Sequence, residues 1–332
     1  MQLVIDTYGA SLGVKDSMFC VKTEDDSRRV SPDKVDSILI TRSASVSTTA
    51  IQLAIEKGIE MVFMDRGGTP YARIWSNRFG SITTIRRKQL EFSRSKAAMG
   101  WLKKLVIRKM DNQQALVLSL MQPDRSTNAL IDKTVKRIEE YKKKVRNCPS
   151  TDLAGLCASL RGWEGAASRW YFRCISLHLP EQYRFEGRSQ RPAADMFNAM
   201  LNYAYGILYH RVEGALISAG VDPYIGVLHR DEYNRPVFTY DFIENFRMWA
   251  DYVVVNLCMQ EVVFREFFTA EKGAYFLDTP GKRILVHAFN DYFSEVVRFH
   301  GKERSRNTHI DIAAQEFARY MLKWKHGDQE SF

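Results

Sequence analysis

Glu164, His229 and Glu244 are the side chains with which this chain could carry out a reaction. They stand in Arg161-Gly162-Trp163-Glu164-Gly165-Ala166, in Ile225-Gly226-Val227-Leu228-His229, and in Tyr240-Asp241-Phe242-Ile243-Glu244-Asn245-Phe246-Arg247. Two carboxylates and one imidazole can hold a divalent cation, because Mg2+ prefers oxygen ligands and Mn2+ also accepts an imidazole nitrogen. So few protein ligands leave positions open for phosphate oxygens. A cation held this way polarises a phosphoryl group and lowers the pKa of an attacking water or hydroxyl. Asp241 precedes Glu244 by three residues, which puts both acids on one helical face. On a mostly apolar helix such a pair needs a cation or hydrogen-bond donors to offset burial. Plainer roles compete for each residue. Glu164 can serve as an acid near a helix N-terminus, His229 as a loop-edge histidine, and Asp241, Glu244 and Arg247 as an ion-pair cluster.

The charge distribution favours a phosphate-bearing partner. Residues 81–146 contain 17 Lys and Arg against 6 Asp and Glu, an excess of 11 in a chain whose net charge is only +9. Basic residues gathered in one segment are the electrostatic footprint of a polyanion, and Lys103, Lys104 and Arg108 are candidate DNA contacts within it. The Lys142-Lys143-Lys144 triplet is expected on a solvated helical face. No Gly-x-x-x-x-Gly-Lys loop suggests an ATPase, and no Gly-x-Ser-x-Gly elbow suggests a serine nucleophile. The five cysteines form no Cys-x-x-Cys pair and read as reduced thiols. Asp6 interrupts the N-terminal apolar run, and the longest later runs fall short of the roughly 20 residues a membrane span needs. The expectation is a soluble, cytoplasmic protein that does not enter a membrane.

Two kinds of element must position these residues. Up to about residue 75, short runs rich in Val, Ile and Phe (Leu3 to Ile5, Ser11 to Lys15, Met18 to Thr23, Ser37 to Ile40, Glu60 to Met64) alternate with turn-forming residues. One helix, capped by Ser47 and ended by Gly58, interrupts them. Small antiparallel sheets suit this pattern. Beyond residue 81, apolar residues recur at helical spacing over Phe92 to Met121, Ile131 to Val145, Ala193 to Ala219 and Thr239 to Thr269. The predicted fold class is α+β multidomain, with a small β-rich, β-sandwich-like N-terminal domain (1–80) and a larger all-α C-terminal domain (81–332). His300, His309 and Lys323-Trp324-Lys325 are expected at the surface.

The order and context of the motifs resemble a known family. Glu164 among small residues is followed by Arg191-Pro192-Ala193-Ala194-Asp195-Met196-Phe197-Asn198, then by Gly220 to His229, then by Asp241 to Arg247. This is similar to the universal CRISPR-associated adaptation integrases, also known as CRISPR-associated endonucleases. The resemblance runs over nearly the whole chain and is most specific between Glu164 and Arg247. It implies that Glu164, His229 and Glu244 bind a catalytic Mg2+ or Mn2+, with Asp241 a supporting acid or alternate ligand. Where the family often has Asp at the last position, Glu244 keeps the charge and adds a methylene. Arg191 and Asn198 fall in the motif that lines the family's DNA-facing site. The resemblance further implies a homodimer formed through the β-rich domain. Two such dimers, bridged by a small second CRISPR-associated adaptation protein, make a heterohexamer. That assembly joins the 3′-hydroxyls of a captured DNA duplex to the CRISPR repeat by transesterification. A stand-alone structure-selective nuclease and a non-catalytic DNA-binding scaffold are the alternatives.

Overall fold

The computed structural model describes residues 2–35, 37–64, 70–74, 81–121, 125–149, 152–229, 235–299 and 301–325. The chain divides into two compact units, Met1–Ile82 and Thr83–Phe332.

The first unit holds two four-stranded sheets. Strands β1 (Gln2–Ile5), β5 (Ser37–Ile40), β7 (Glu60–Met64) and β8 (Pro70–Ile74) form one, in that order. The other is ordered β4 (Ser27–Val30), β3 (Met18–Lys22), β2 (Ser11–Lys15), β6 (Ser45–Val46). The expected strands are present, but the first sheet is not antiparallel: β1, β5 and β7 run parallel. Parallel strands covered on both faces read as unbroken apolar runs, as Ile38-Leu39-Ile40 does, all three buried. Helix α1 (Thr48–Glu56) lies between β6 and β7 in the chain. The Ser47 hydroxyl accepts from the Ala50 amide at its start, and Gly58 leaves the helix at φ +69, a conformation that costs glycine little. Leu3 and Ile5, Leu12 and Phe19, Ile38 and Ile40, and Ala50 and Ala54 fill one core from both sheets and α1.

The second unit is built on helices α2 (Ile82–Phe92), α3 (Lys96–Ser119), α4 (Arg125–Asn147), α5 (Leu153–His178), α6 (Met196–Ser218), α7 (Val237–Phe242), α8 (Arg247–Met259), α9 (Thr279–Ser294) and α10 (Arg306–Lys323). It is not purely helical. Two antiparallel ribbons, β9 (Phe268–Glu271) with β10 (Ala274–Leu277) and β11 (Val296–Phe299) with β12 (Lys302–Ser305), are inserted among the last helices. Helices α3, α4 and α5 pack against one another, while α6 packs on α8 and α10. The stripe Phe197, Leu201, Ala204, Leu208, Val212, Ala215 of α6 is buried as its spacing requires.

Several expected helices are interrupted where a polar group finds a better partner than the helix ladder. Ser95 caps α3 by accepting from the Ala98 amide, so the helix expected from Phe92 to Met121 starts only at Lys96, and Phe92 instead ends α2. The span from Thr239 is broken by a 3-10 turn at Ile243–Asn245, where the Asn245 side chain donates to the Phe242 carbonyl. Helix α8 then stops at Met259, close to Glu261 at φ +53. Helix α5 begins at Leu153 under the Asp152 cap, so Glu164 sits in mid-helix and not at an N-terminus. Its neighbours Gly162 and Gly165 only weaken the helix locally.

An aromatic seam ties the ends of this unit together. Phe92 meets Trp101, Phe317, Tyr320 and Trp324 edge-on at 5.8–6.3 Å. Trp324 is therefore buried, and so is His309, whose Nε2 lies 3.0 Å from the Val297 carbonyl; both had been expected at the surface. His300 lies outside the described residues. Phe92→Ala removes the ring at the centre of this seam. It should destabilise the protein by about 3–5 kcal/mol, as measured by urea unfolding; a loss under 1 kcal/mol would show that the seam collapses without cost.

Candidate active site

Helix α3 crosses α5 with its apolar stripe Leu102, Leu105, Val106, Met110 inward, and Lys109 lies on that same stripe, 8% exposed. Its Nζ donates to Glu164 Oε1 on α5 at 2.5 Å and lies 2.7 Å from Glu244 Oε2 in the 3-10 turn. The second contact is close but off the line a hydrogen bond needs. Glu244 Oε2 is buried with no hydrogen-bond donor, and the attraction there is ionic. Arg247 Nη1 contacts Glu244 Oε1 at 3.0 Å, and its guanidinium lies over the Tyr205 ring. The Ser168 hydroxyl donates to Glu164 Oε1, and Gln113 in turn donates to Ser168. Two carboxylates are thus matched by two cations, the condition under which charge is tolerated away from water. Burial pushes the Glu164 carboxyl up, but the Lys109 ammonium, the Ser168 hydroxyl and Arg247 together bring the net shift below the usual value. Burial likewise opposes the charge on Lys109, and Glu244 with Glu164 more than restores it.

Asp241 faces the other way. It is fully buried, and its Oδ2 accepts from the amides of Val227 and Leu228 at 2.7 and 2.9 Å. Its Oδ1 accepts from the His229 amide and pairs with His229 Nδ1 at 2.7 Å. A carboxylate only accepts, so Nδ1 carries the proton and Nε2 is the ring nitrogen left for a ligand. The alternate-ligand role for Asp241 does not hold, since both its oxygens are committed to the loop that carries His229. Burial lowers the imidazole's proton affinity, but the Asp241 hydrogen bond and the Asp241 and Glu244 charges raise it further, for a net rise above 6.5.

That loop is held from behind by residues the sequence reading passed over. The buried Gln89 amide donates to the carbonyls of Asp222 and Ile225 and accepts from the Asp222 amide. A Cβ on Gly226 would lie 2.1 Å from the His229 carbonyl oxygen and 2.9 Å from Val237 Cγ2, so only glycine fits. The charged residues 230–232 that follow His229 lie outside the described residues.

The structure therefore brings Glu164 and Glu244 together across Lys109, with His229 within electrostatic reach of Glu244. Among the described residues, no three His, Cys, Asp or Glu side chains converge into a ready metal cage. The donors still suit a hard or borderline divalent cation: two carboxylates and an imidazole whose tautomer a carboxylate fixes, as metal-binding histidines usually require. Lys109 was legible as more than a basic-segment residue, because a lysine on the apolar stripe of a buried helix must have an anionic partner.

The candidate DNA contacts separate. Asn198 is 0% exposed, where it bonds Arg188, the Ser189 amide, the Gly187 carbonyl and Asp195; it shapes the 187–195 loop and cannot present its side chain to DNA. Lys103 donates to the Cys148 carbonyl just past the end of α4. Arg108 is exposed but donates to Asn245 beside Glu244. Lys104 and Arg191 are exposed. The basic segment is partly consumed internally, for Lys88 holds the carbonyls of Leu322 and Trp324. Lys142, expected in solvent, is buried between Asp111 and Glu139.

Residues 3–291 match the family model for CRISPR associated protein Cas1. The chain belongs to the Cas1 family. A CRISPR-associated endonuclease Cas1 of Archaeoglobus fulgidus is 30% identical over 337 residues, covering 97% of this chain and 96% of its own. Two solved structures share the fold with a TM-score of 0.78 and 21% identity. One is a casposase bound to integration product, matched over 99% of this chain and 92% of that one. The other is a chain of a Cas6-RT-Cas1–Cas2 complex, matched over 100% of this chain and 36% of that longer one. No helix of the described residues is long and apolar enough to cross a membrane.

The Asp241 arrangement yields a direct test. Because the folded value of His229 is raised above 6.5, the pair's contribution to stability is complete below that pH. It is lost as pH rises through the higher value. In Asp241→Asn the anion is gone while burial remains, so the His229 ring signal, followed by NMR against pH, should titrate lower than in the parent protein. An unchanged midpoint would show that Asp241 does not set the protonation of His229. Gln89→Ala should cost about 1–3 kcal/mol in urea unfolding, since it strands buried backbone groups of the loop; no measurable loss would rule out its holding role.

Proposed function

We propose that this Cas1 protein is a metal-dependent DNA integrase and endonuclease of CRISPR adaptation. It joins the 3′-hydroxyl ends of a captured duplex to the CRISPR repeat. The observation that carries this reading is the convergence of Glu164 and Glu244 on a single cationic position, with an imidazole whose proton is fixed on Nδ1 by Asp241 within electrostatic reach of Glu244. Support comes from the family, from the endonuclease name of the archaeal relative, and from the fold shared with a casposase bound to integration product.

Glu164, Glu244 and His229 Nε2 would hold Mg2+ or Mn2+, which when bound supplies Lewis acidity at the phosphoryl oxygen and a lowered pKa for the attacking hydroxyl. The chain's own groups do the rest. Asp241 keeps the proton on Nδ1 and so keeps Nε2 available. Ser168 and Arg247 fix the orientation of the two glutamates. Arg161, Arg169 and Arg173 are exposed on α5, the helix of Glu164, where guanidinium groups can hold phosphates in place. In strand joining, a 3′-oxygen forms a bond to phosphorus as another phosphorus–oxygen bond breaks, so no ATP is consumed. Water as the nucleophile turns the same reaction into cleavage. The working assembly is a homodimer through the β-rich unit, with two dimers bridged by the small second adaptation protein. Cas2 stands beside Cas1 in one of the structures that share this fold.

In an assay with a short duplex, a repeat-bearing plasmid, the purified second protein and Mn2+, Glu164→Ala, His229→Ala and Glu244→Ala should each lower joining by about 100-fold or more. Duplex binding should persist. Joining at the parent rate in any of the three removes that residue from the reaction, and joining without a divalent cation favours a non-metal mechanism. Cleavage without insertion into the repeat would instead mark a stand-alone nuclease. Charge reversal at Lys104 and Arg191 should flatten the salt dependence of DNA binding by about 0.9 log units per lost phosphate contact; an unchanged slope places both away from DNA.

A further inference from the structure

The geometry points to Lys109 as a resident cation that closes the site, so that its ammonium and a divalent metal ion compete for Glu164 and Glu244 and binding of the metal expels the lysine. This inference rests on the reading of the two glutamates as metal ligands.

Four observations carry it. First, the Lys109 ammonium touches one oxygen of each glutamate, at 2.5 and 2.7 Å, from a helix distinct from those of both acids. It sits between them, where a bridging cation would sit. Second, the fit is imperfect in an informative way. Glu244 is 7% exposed, and its Oε2 is buried without a hydrogen-bond donor although Nζ is 2.7 Å away. The ammonium has donors enough, but none lies in line with Oε2, whereas a metal ion attracts that oxygen without needing a hydrogen placed between them. Third, Mg2+ draws oxygen ligands to about 2.0–2.1 Å. Oxygens already within 2.5–2.7 Å of one point need move only by about half an ångström, if the point is vacated. Fourth, Arg247 already lies 3.0 Å from the other oxygen of Glu244. A divalent ion added beside both Lys109 and Arg247 would put four positive charges on two carboxylates in a buried setting, so the ammonium and the metal exclude each other.

The lysine stem makes the exchange mechanically simple. Four methylenes let the ammonium swing away without moving the helix, which the planar, bidentate guanidinium of an arginine would do less readily. The metal-free protein gains a site that stays assembled, since two unpaired carboxylates from α5 and the 3-10 turn would otherwise repel. It also gains selectivity. Only a cation that binds the two glutamates more strongly than the tethered ammonium can load the site, which excludes monovalent ions.

Two measurements test the competition on the full-length, metal-stripped protein. Lys109→Met keeps the length and apolar stem and removes the charge. Its Mn2+ affinity, read from the EPR signal of free Mn2+, should be at least about 10-fold tighter than that of the parent protein. A purely structural lysine would give weaker binding on removal. Equal or weaker Mn2+ binding by a folded Lys109→Met protein overturns the proposal. The second measurement needs no variant, and it decides the matter if Lys109→Met does not fold. Acetylation of Lys109 by a water-soluble amine reagent, followed by peptide mass spectrometry, should be slow in metal-free protein and several-fold faster in saturating Mg2+. A rate that is unchanged or slower in Mg2+ means the ammonium stays in place, and overturns it as well. Glu164→Gln distinguishes the underlying reading. If the parent protein binds Mn2+ no better than Glu164→Gln does, the metal centre itself fails and the competition falls with it. If the parent binds Mn2+ and Glu164→Gln does not, a failure with Lys109 concerns Lys109 alone.

Discussion

The ion pairs of Lys109 hold together three elements that have no sequence proximity: α3, α5 and the short turn between α7 and α8. Carboxylates on two of these would separate if left to themselves, and burying either one unpaired would cost several kcal/mol. The single ammonium between them therefore sets how α5 and the turn sit on α3. Much of the local irregularity follows from that constraint. Helix α7 cannot continue into α8, because Glu244 and Asn245 must turn toward α3, where Lys109, Arg108 and Asn112 receive them. Arg247 then closes the charge balance from the first residue of α8.

Around this centre the second acid of the motif has a different task. Asp241 and Glu244 are three residues apart, yet one faces the His229 loop and the other faces Lys109. The helix ends between them, so spacing on an ideal helix no longer describes their directions. Asp241 gathers three consecutive amides and the imidazole, which makes it the organiser of the loop. Gln89 and Gly226 complete that support from the other side, one through hydrogen bonds and one through its lack of a side chain. The site is thus two carboxylates set by an ion pair and one imidazole set by a buried carboxylate, each held by elements that the core already fixes.

The basic segment carries a related lesson. Its excess of positive charge is real, but charge is only a footprint where it reaches solvent. Lys88 spends its ammonium on the C-terminal carbonyls, Lys103 on Cys148, Lys109 on the glutamates and Lys142 on Asp111 and Glu139. What remains outward, including Lys104, Arg161, Arg169, Arg173 and Arg191, is spread over α3, α5 and the 187–195 loop. Composition alone cannot separate these two groups; only a lysine's place on an apolar stripe, as with Lys109, marks one that must be paired.

From the sequence by itself, the strands before residue 75, the helical character after 81 and the acids and imidazole whose donor atoms suit a cation were all legible. Each rests on a local signal: alternation, three- and four-residue spacing, or a residue type that has the right donor atoms. Not legible were the parallel pairing of β1, β5 and β7, where antiparallel sheets were expected, and the ribbons β9 to β12, where only helices were expected, because strand pairing depends on partners far along the chain. The tertiary structure alone decided that Glu164 lies in mid-helix, that Asn198 is interior, that Asp241 serves His229 and that Lys109 joins the glutamates. Those outcomes follow from where buried charges and amides find compensation. Partners such as Lys109 and Glu164, 55 residues apart, meet only after the helices have packed.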